Sequence, residues 1–432
     1  MTDAVKIAIA GLGTVGAGTV RLLAEQADLL RRRCGRVLSV TAVSARDRNR
    51  DRGVDISQFQ WFDDPAHMAA QADADIVVEL IGGEDGPALA TCEAAIAAGR
   101  GVVTANKALI ARHGAALAAA AEKSGVALGF EAAVAGGIPI IKALREGLAG
   151  NRVDRVYGIL NGTCNYILTT MRETGRDFDG ILADAQEMGY AEADPSFDVD
   201  GVDAAHKLAI LTSVAFGCEV DFEGVHVEGI RHVTAADIAF ADELGYRIKL
   251  LGIARRGVNG VEQRVHPCMV RADSPIAHVE GVFNAVVAEG DFVGTTVYEG
   301  RGAGAGPTAS AVAADIIDIA RGARIPAFAV ASDDLSPAST IPMSRHSSAY
   351  YVRLMVVDRP GVIAAVTAVL RDENVSMESM IQRGRDPDGP VPVVITTHET
   401  AEAGMRKALA AIGGLDSVVE PPRMIRIESL KK

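Results

Sequence analysis

The sequence predicts a three-domain α/β protein: a doubly wound parallel sheet comes first, then a central α+β domain and a C-terminal ferredoxin-like domain. In the first part of the chain, short apolar strands alternate with alanine-rich helical stretches, which is typical of a parallel sheet. The last part reads strand, helix, strand, strand, helix, strand, which is the order of a ferredoxin-like unit. A chain of 432 residues is also too long for one core and suggests about three domains.

The expected domain boundaries follow from changes in this pattern. Residues 1–131 form the first domain and residues 132–337 the second, whose strands VYGILNG, IKLLGIARRG and EQRVHPCMVR suit a mixed or antiparallel sheet. A stretch rich in serine and proline predicts a linker at residues 338–348. The third domain then covers residues 349–432.

The segment KIAIAGLGTVGAGTVRLL near the N-terminus is the most informative stretch. A short apolar strand leads into three spaced glycines and then a helix, which is the order of a Rossmann dinucleotide-binding turn. Gly11 allows the tight turn, Gly13 lets the backbone approach a pyrophosphate, and Gly16 lets helix and strand pack closely. Thr14 and Val15 lie in the same turn, where the helix N-terminus faces the phosphates. We therefore predict that these five residues bind the cofactor.

The end of the second strand bears on the choice of nicotinamide cofactor. An acidic residue there would hold the ribose hydroxyls of NAD, whereas arginine would accept the additional phosphate of NADP. In this chain Ser44 stands at that position and is followed by Arg46, Arg48 and Arg50, while Asp47 leaves NAD possible. The pattern favours NADP with Arg46 as a ligand, and at least one of the arginines is expected to be only a solvated charge.

Two further strand ends are expected at the cofactor crevice, because ligands of such sheets bind at the carboxyl ends of the strands. Gly82 lies in the turn after the apolar run DIVVEL, and Lys107 follows the run GVVTAN. Both residues are therefore predicted to contact the cofactor.

The chemistry of the middle domain is concentrated around the segment GYAEADPSFDVDG. This segment carries Glu192 and Asp198 and leads into a helix for which Asp200 is the expected N-cap. Asp203 and Lys207 are four residues apart, so they share one helical face and the carboxylate can orient the ammonium. An arbitrary pair of this kind is more often a solvated surface pair. The density of acidic residues before the helix favours a functional site here.

Two other residues of the middle domain invite a chemical interpretation. Asn161 begins an Asn-Gly-Thr glycosylation sequon, which we interpret as backbone geometry because the N-terminus has no secretory leader. Cys164 could form a thioester in an aldehyde dehydrogenase, but no histidine is near it in sequence to activate the thiol. We therefore expect Cys164 to be a small buried residue.

Composition argues against several classes of function. A formal net charge of −13 and a pI near 5.2 make nucleic acid or an anionic membrane an unexpected partner. There is no run of 18 apolar residues that would span a membrane, so we expect a cytoplasmic protein. The five cysteines are scattered without CxxC spacing, which argues against a disulfide framework or a zinc site.

Together, these motifs resemble those of monofunctional homoserine dehydrogenases that carry a C-terminal ACT regulatory domain, and the similarity covers nearly the whole chain. It rests on GLGTVGAG, TANKALIA, EAAVAGGIPII, NGTCNYIL, GYAEADPSFDVDGVDAAHKLAIL and GRGAGAGPTASAV. The resemblance implies an enzyme that interconverts L-homoserine and L-aspartate 4-semialdehyde with NAD or NADP. This reaction lies on the route to threonine, methionine and isoleucine.

The resemblance also implies roles for individual residues. Lys207 would be the general acid and base, Lys107 would hold substrate or cofactor beside it, and Asp203 would aim Lys207. Glu192 would bind the ammonium group of the substrate, with Asp198 as a supporting candidate, because a free amino acid needs a carboxylate partner.

A cation site is implied at the segment that begins with Glu131. The Glu131 carboxylate and the backbone carbonyls of Val134, Gly136 and Ile138 would bind a monovalent cation such as sodium, because oxygen ligands suit a hard cation. The alternative is that the glycines of this segment only shape a crossover between domains.

In the segment GRGAGAG, Gly302 and Gly304 would close over the cofactor from the second domain. The alternative is that this glycine-rich entry to a helix is structural.

An amino-acid effector is expected in the third domain, because ACT domains bind small regulators. The turn DRPGV places proline and glycine at a helix start and leaves backbone amides open to a small zwitterionic ligand. We expect threonine to act as an inhibitor near Asp358, Gly361 and Asn374, where paired domains meet. Such pairing predicts a homodimer or a homotetramer.

Two other functions stay open from the sequence. A sensor that binds nucleotide and amino acid without turnover would not need the lysines and acids of the middle domain. An NADP oxidoreductase acting on another amino-acid semialdehyde would use the same sites, and a substrate panel would identify it.

Overall fold

The first domain is a six-stranded parallel sheet with helices on both faces. The computed structural model describes residues 4–383 and 389–430, so the parts of the expected domains at residues 1–3, 384–388 and 431–432 lie outside the described residues. The elements of this domain are β1 (Val5–Ala10), α1 (Thr14–Glu25), α2 (Ala27–Cys34), β2 (Leu38–Ser44), β3 (Gln60–Phe62), α3 (Pro65–Gln71), β4 (Ile76–Glu79), α4 (Pro87–Ala97), β5 (Gly101–Thr104), α5 (Lys107–Ser124) and β6 (Leu128–Gly129). The sheet order is β3-β2-β1-β4-β5-β6, which confirms the predicted doubly wound sheet.

Strand β1 shows why this sheet is buried on both faces. Its alternating residues Ile7 and Ile9 join one apolar core, and Ala8 and Ala10 join another on the opposite face. The edge strand β3 was not predicted, because three residues are too few to show an apolar period.

The central domain is an α+β unit. Its elements are α6 (Ile140–Lys142), β7 (Val153–Ile159), α7 (Gly162–Thr174), α8 (Phe178–Glu187), α9 (Ser196–Val199), α10 (Val202–Phe216), β8 (His226–Val227), α11 (Ala235–Glu243), β9 (Tyr246–Gly257), β10 (Gly260–Arg271), β11 (Phe283–Gly290), β12 (Gly294–Arg301) and α12 (Ala305–Ala320). Strands β12, β11, β7, β9 and β10 are neighbours in that order, and each of these pairs is antiparallel.

Helix α12 departs from the expected division between residues 131 and 132. Its residues Val312 and Ile316 belong to the same apolar core as Ile7 and Ile9 of the first domain. A Cβ on Gly18 of α1 would lie 3.0 Å from the carbonyl oxygen of Ala305, so the two helices are closely packed. A parallel sheet must be covered on both faces, and α12 supplies part of this cover. The first domain is therefore built from two separate segments of the chain.

The third domain has the ferredoxin-like order that was predicted. It consists of β13 (Ser347–Val357), α13 (Val362–Asp372), β14 (Met377–Gln382), β15 (Pro390–Thr397), β16 (Thr400–Ala401), α14 (Glu402–Gly413) and β17 (Arg423–Ile427). The strand order is β17-β13-β15-β14. Across the described ranges, no helix combines the length and apolar character needed to cross a membrane.

The expected linker at residues 338–348 is part of the folded structure. The amide of Val261 donates to the carbonyl oxygen of Ser339 at 2.8 Å, and the amide of Ile341 donates to the carbonyl of Val261 at 2.9 Å. His346 is buried and β13 already begins at Ser347. Serine and proline discourage regular helices and strands, but they leave enough backbone groups to pair with the end of a strand.

Strand β17 joins the second and third domains into one continuous sheet. It pairs in parallel with β10 of the central domain and antiparallel with β13. Arg426 of this strand is buried and pairs with Glu402 at 2.6 Å and with Glu228 of the central domain at 2.7 Å. Burial alone would raise the pKa of Glu402, but hydrogen bonds from Arg426 hold it below its ordinary value. Removing one partner of such a cluster leaves an unpaired buried charge and costs about 3–5 kcal/mol.

A second buried cation, Lys249 of β9, fixes the loop that precedes β11. Its ammonium donates to the carbonyl of Val279 at 2.6 Å and to Oδ1 of Asn165 at 3.2 Å. The side-chain nitrogen of Asn165, which carries two hydrogens, lies within hydrogen-bond distance of the carbonyls of Val279, Gly281 and Phe283. Burial lowers the pKa of Lys249 from 10.5 to about 8.

Replacing Lys249 with Met should change how stability depends on pH. Between about pH 8 and 10.5 the unfolded chain keeps a proton on Lys249 that the folded protein releases, so wild-type stability rises with pH in this window. The free energy of unfolding of the wild type, relative to K249M, should rise by on the order of 3 kcal/mol from pH 7 to pH 10.5. Urea titrations of both proteins measure this, and a difference that does not vary with pH would contradict it.

Candidate active site

The glycine turn after β1 forms a cradle that fits a dinucleotide. Gly11 has a φ of +95°, and a Cβ there would lie 2.4 Å from the carbonyl oxygen of Leu80. A Cβ on Gly16 would lie 2.0 Å from the carbonyl oxygen of Gly11, so both positions require glycine. At Gly13 a Cβ would meet nothing within 4 Å, which leaves space for a phosphate beside the first turn of α1.

The arginine-rich loop after β2 lines a cavity of about 440 Å³ next to this turn. Arg46 and Arg50 line the cavity, and their guanidinium groups have no ionic partner among the residues that the structure describes. Arg48 instead lies over the ring of Trp61, 5.9 Å from its centroid. Arg52, which the sequence analysis did not single out, donates to the carbonyl of Leu12 at 3.2 Å and so ties the loop to the glycine turn.

Glu79, at the end of β4, is another residue that the sequence analysis missed. It is fully buried, and its Oε1 accepts hydrogen bonds from the amides of Ile81 at 2.6 Å and Gly82 at 3.2 Å. The hydroxyl of Thr104 donates to its Oε2 at 2.6 Å. Glu79 therefore shapes the turn of Gly82, whose φ is +87°. The sequence did carry a signal for this role, because Glu79 is an acidic residue at the end of an otherwise apolar strand.

Two lysines from different domains meet on one carboxylate. Lys107 begins α5, which Asn106 caps by accepting a hydrogen bond from the amide of Leu109. The ammonium of Lys107 lies 3.1 Å from Oδ1 of Asp203, and the ammonium of Lys207 lies 2.8 Å from Oδ2 of the same carboxylate. The geometry brings together the three residues for which the sequence predicted catalytic roles.

Burial and charge oppose each other at Asp203. Burial alone would raise the pKa of this carboxyl, but the ammonium groups of Lys207 and Lys107 hold it well below its ordinary value. Asp203 is therefore a permanent anion that fixes the positions of both cations.

Asn161 joins the two aspartates of the site. Its Nδ2 donates to Oδ1 of Asp198 and to Oδ2 of Asp203, both at 2.8 Å. Its Oδ1 accepts from the amide of Cys164 at 2.8 Å and caps α7. Burial and the charge of Asp203 raise the pKa of Asp198. From sequence alone the Asn-Gly-Thr motif indicates only backbone geometry, so the contact of Asn161 with the two aspartates was not predicted.

Asp200 is not the helix cap that was expected. Helix α10 is preceded by Gly201, whose φ of +86° turns the chain into the helix without a side-chain cap. The Asp200 carboxylate instead pairs with Arg231 at 2.5 Å. An aspartate before a helix can bind either the helix amides or a distant cation. The sequence did not show that Arg231, which is far away along the chain, would be the partner of Asp200.

A cavity of about 640 Å³ opens over the lysine pair. It collects predicted site residues from five separate segments, namely Val15, Lys107, Gly136, Glu192, Asp198, Asp203, Lys207, Gly302 and Gly304. Glu192 lies at the exposed rim of the cavity, whereas Lys207 is buried. A Cβ on Gly136 would lie 2.5 Å from the carbonyl oxygen of Gly302, so the two glycine-rich segments touch.

The Glu131 carboxylate is already engaged by backbone amides. Its two oxygens accept from Ile141 at 2.9 Å and from Lys142 at 2.8 Å. Burial and the nearby charge of Asp315 raise the pKa of Glu131 to about 7. The carbonyl of Ile138 accepts from the amide of Ile140. Both groups keep further lone pairs for a cation, because a carboxylate offers about four acceptor sites and a backbone carbonyl two.

The three residues predicted to bind an effector lie at opposite ends of one helix. Asp358 and Gly361 precede α13, and Asn374 follows it with a φ of +57°. Eleven helical residues span about 16 Å. A site that uses all three residues therefore needs a second copy of the domain.

Cys164 is unsuited to nucleophilic chemistry. It is fully buried, its sulfur lies 3.2 Å from the carbonyl oxygen of Asp198, and burial raises the pKa of the thiol. This agrees with the expectation of a small buried residue.

A dinucleotide cradle that leads to two lysines, Lys207 buried and Lys107 half-buried, defines a nicotinamide-dependent oxidoreductase, here with a ferredoxin-like domain appended. Family models match residues 11–131 ("Homoserine dehydrogenase, NAD binding domain"), 139–317 ("Homoserine dehydrogenase") and 350–415 ("ACT domain"). A homoserine dehydrogenase of Pseudomonas aeruginosa is 48% identical over 435 residues, covering 99% of both chains. The chain belongs to the homoserine dehydrogenase family.

Solved structures agree with this assignment. A homoserine dehydrogenase from Thiobacillus denitrificans matches with a TM-score of 0.93 and 45% identity, covering 99% of both chains. A hyperthermophilic archaeal homoserine dehydrogenase in complex with NADPH matches with a TM-score of 0.63 and 30% identity, covering 73% of this chain and 98% of that chain. The protein is thus an oxidoreductase with a nicotinamide cofactor and an ACT domain.

Replacing Glu79 with Gln should weaken cofactor binding. The amide group of glutamine offers only one acceptor atom in place of two, so either the turn at Gly82 or the hydroxyl of Thr104 loses its partner. We expect the dissociation constant of NADPH to rise by about tenfold, the size of one lost hydrogen bond to a charged group. Fluorescence titration measures this. Glu84→Gln is the matched control because Glu84 is exposed, and equal affinities for the two variants would refute the role of Glu79.

Proposed function

We propose that this enzyme interconverts L-homoserine and L-aspartate 4-semialdehyde, with NADP as the preferred cofactor. The observation that carries the proposal is the cluster of Lys107, Asp203 and Lys207 at the end of the cofactor cradle. In a cell that makes threonine, methionine and isoleucine from aspartate, this step would commit the semialdehyde to those amino acids.

Lys207 would act as the acid in reduction and as the base in oxidation. Its ammonium carries three hydrogens, of which one binds the carbonyl of Leu160 at 2.7 Å and one binds Asp203. The third is left for the oxygen of the substrate. When bound, the nicotinamide supplies or accepts the hydride at the carbon that bears this oxygen. Negative charge gathers on the oxygen during reduction, and Lys207 donates the proton while Lys107 stabilises the charge.

The remaining polar groups of the cavity suit a free amino acid. Glu192 and Asp198 would bind the ammonium group of the substrate. The N-terminus of α7, where Gly162 and Thr163 line the cavity, would bind its carboxylate because helix N-termini carry open amides and partial positive charge.

The preference for NADP is supported by the loop after β2. Arg46 and Arg50 present guanidinium groups to the cavity beside Ser44, where an acidic residue would be expected for NAD.

We also propose that a monovalent cation such as sodium binds at residues 131–138. Its ligands would be the Glu131 carboxylate, which also accepts from the amides of Ile141 and Lys142, and the backbone oxygens of Val134, Gly136 and Ile138.

Replacing Lys207 with Met tests the reaction. The wild type should oxidise NADPH faster than NADH in the presence of L-aspartate 4-semialdehyde, and K207M should lower kcat by at least about 100-fold because the proton donor is lost. Initial rates at 340 nm measure both, and NADPH titration of K207M checks that the cofactor site is intact. An unchanged kcat in K207M would overturn the mechanism. Preference for a longer or branched semialdehyde would move the assignment to another substrate.

We further propose that the ACT domain binds an amino-acid effector, with threonine as the inhibitor, and that the enzyme is a homodimer or a homotetramer. Asp358 and Gly361 of one copy and Asn374 of another would form the site, which accounts for their separation along α13. The edge strand β14 is available for pairing between ACT domains.

Threonine should therefore lower the activity of the wild type. Gly361→Val should abolish the inhibition without changing the uninhibited rate, because a branched side chain is strained at a φ of +93°. Rates across a threonine titration, together with thermal shifts, measure this effect. Constant activity and a constant unfolding temperature across the titration would exclude threonine as the effector.

A further inference from the structure

The amide of Asn161 has every hydrogen-bonding group in use. Its oxygen caps α7, and its nitrogen donates one hydrogen to Asp198 and the other to Asp203. Asn161 itself is only 4% exposed, so water does not compete for these bonds. The side chain therefore fixes the relative positions of α7, α9 and α10.

The two aspartates that it joins have different tasks in the proposed reaction. Asp203 orients the proton donor Lys207, and Asp198 faces the ammonium group of the substrate. Two carboxylates this close repel each other, and the NH2 group of Asn161 is a neutral donor that satisfies both. Lys107 and Lys207 contact Asp203 but form no ion pair with Asp198 within the described ranges.

We propose that Asn161 is a positioning residue of the reaction, which couples the carboxylate that binds the substrate to the carboxylate that aims the proton donor. This inference rests on the proposed function. It assigns to the Asn-Gly-Thr motif a role beyond capping a helix: loss of the amide would let Asp198 and Asp203 move apart, and Lys207 would lose its alignment with the bound substrate.

The variants Asn161→Ser and Asn161→Ala separate positioning from capping. Serine is also a good N-cap, so N161S should keep the cap of α7 and the NADPH affinity of the wild type, whereas N161A loses the cap as well. If Asn161 positions the aspartates, kcat for L-homoserine should fall by about 30-fold in both variants and KM for L-homoserine should rise, as expected for lost hydrogen bonds to charged groups. If Asn161 is only a cap, N161S should match the wild type, which would overturn the inference.

A double-mutant cycle with Asp203→Asn tests whether Asn161 acts through Asp203. In the D203N background, the further change N161S should alter kcat by less than about threefold, because residues that act as a unit are not additive. A full additional loss of about 30-fold would show that Asn161 acts independently of Asp203 and would overturn the inference.

If the wild type itself does not turn over L-homoserine with NADP or NAD, the proposed function fails and this inference fails with it. Wild-type turnover with an unaffected N161S removes the inference alone.

Discussion

The carboxylate of Asp203, held between two ammonium groups, is the interaction on which the active site depends. An isolated buried carboxylate would cost several kcal/mol, and here it is offset by Lys107 of the first domain, Lys207 of its own helix and Asn161 of α7. Because these donors come from separate elements, the site is complete only when the first and second domains are packed together. The same anion therefore holds the two lysines of the candidate site together and contributes to the domain interface.

The local features of this site could be predicted from sequence, whereas its connections could not. The spacing of Gly11, Gly13 and Gly16 and the four-residue step from Asp203 to Lys207 depend on backbone geometry, which is a property of short segments. The contacts of Glu79 with Thr104 and of Asn161 with the two aspartates join residues 25 to 42 positions apart. Such polar partners leave no periodic pattern, because a buried amide or carboxylate can be satisfied by many elements.

The same distinction holds for the architecture. The order of strands and helices predicted both the doubly wound sheet and the ferredoxin-like unit, because each element carries its own apolar period. The parallel pairing of β10 with β17 could not be predicted, since it joins a strand of the central domain to the last strand of the ACT domain. Arg426 strengthens this junction through Glu228, and the amide of Ile230 in turn binds the carbonyl of Val199, the residue next to Asp198. The last strand of the ACT domain is thus connected, through residues 228–230, to the residue next to Asp198.

The return of α12 to the first sheet has a consequence for synthesis of the protein. Domains generally fold in order as the chain leaves the ribosome, from the N-terminus onward. Here the six strands of the first sheet emerge long before the helix at residues 305–320, which covers part of one of their faces. That part of the nascent sheet has no cover from α12 while nearly all of the central domain is being made. Unlike a self-contained nucleotide-binding domain, this one matures together with its neighbour.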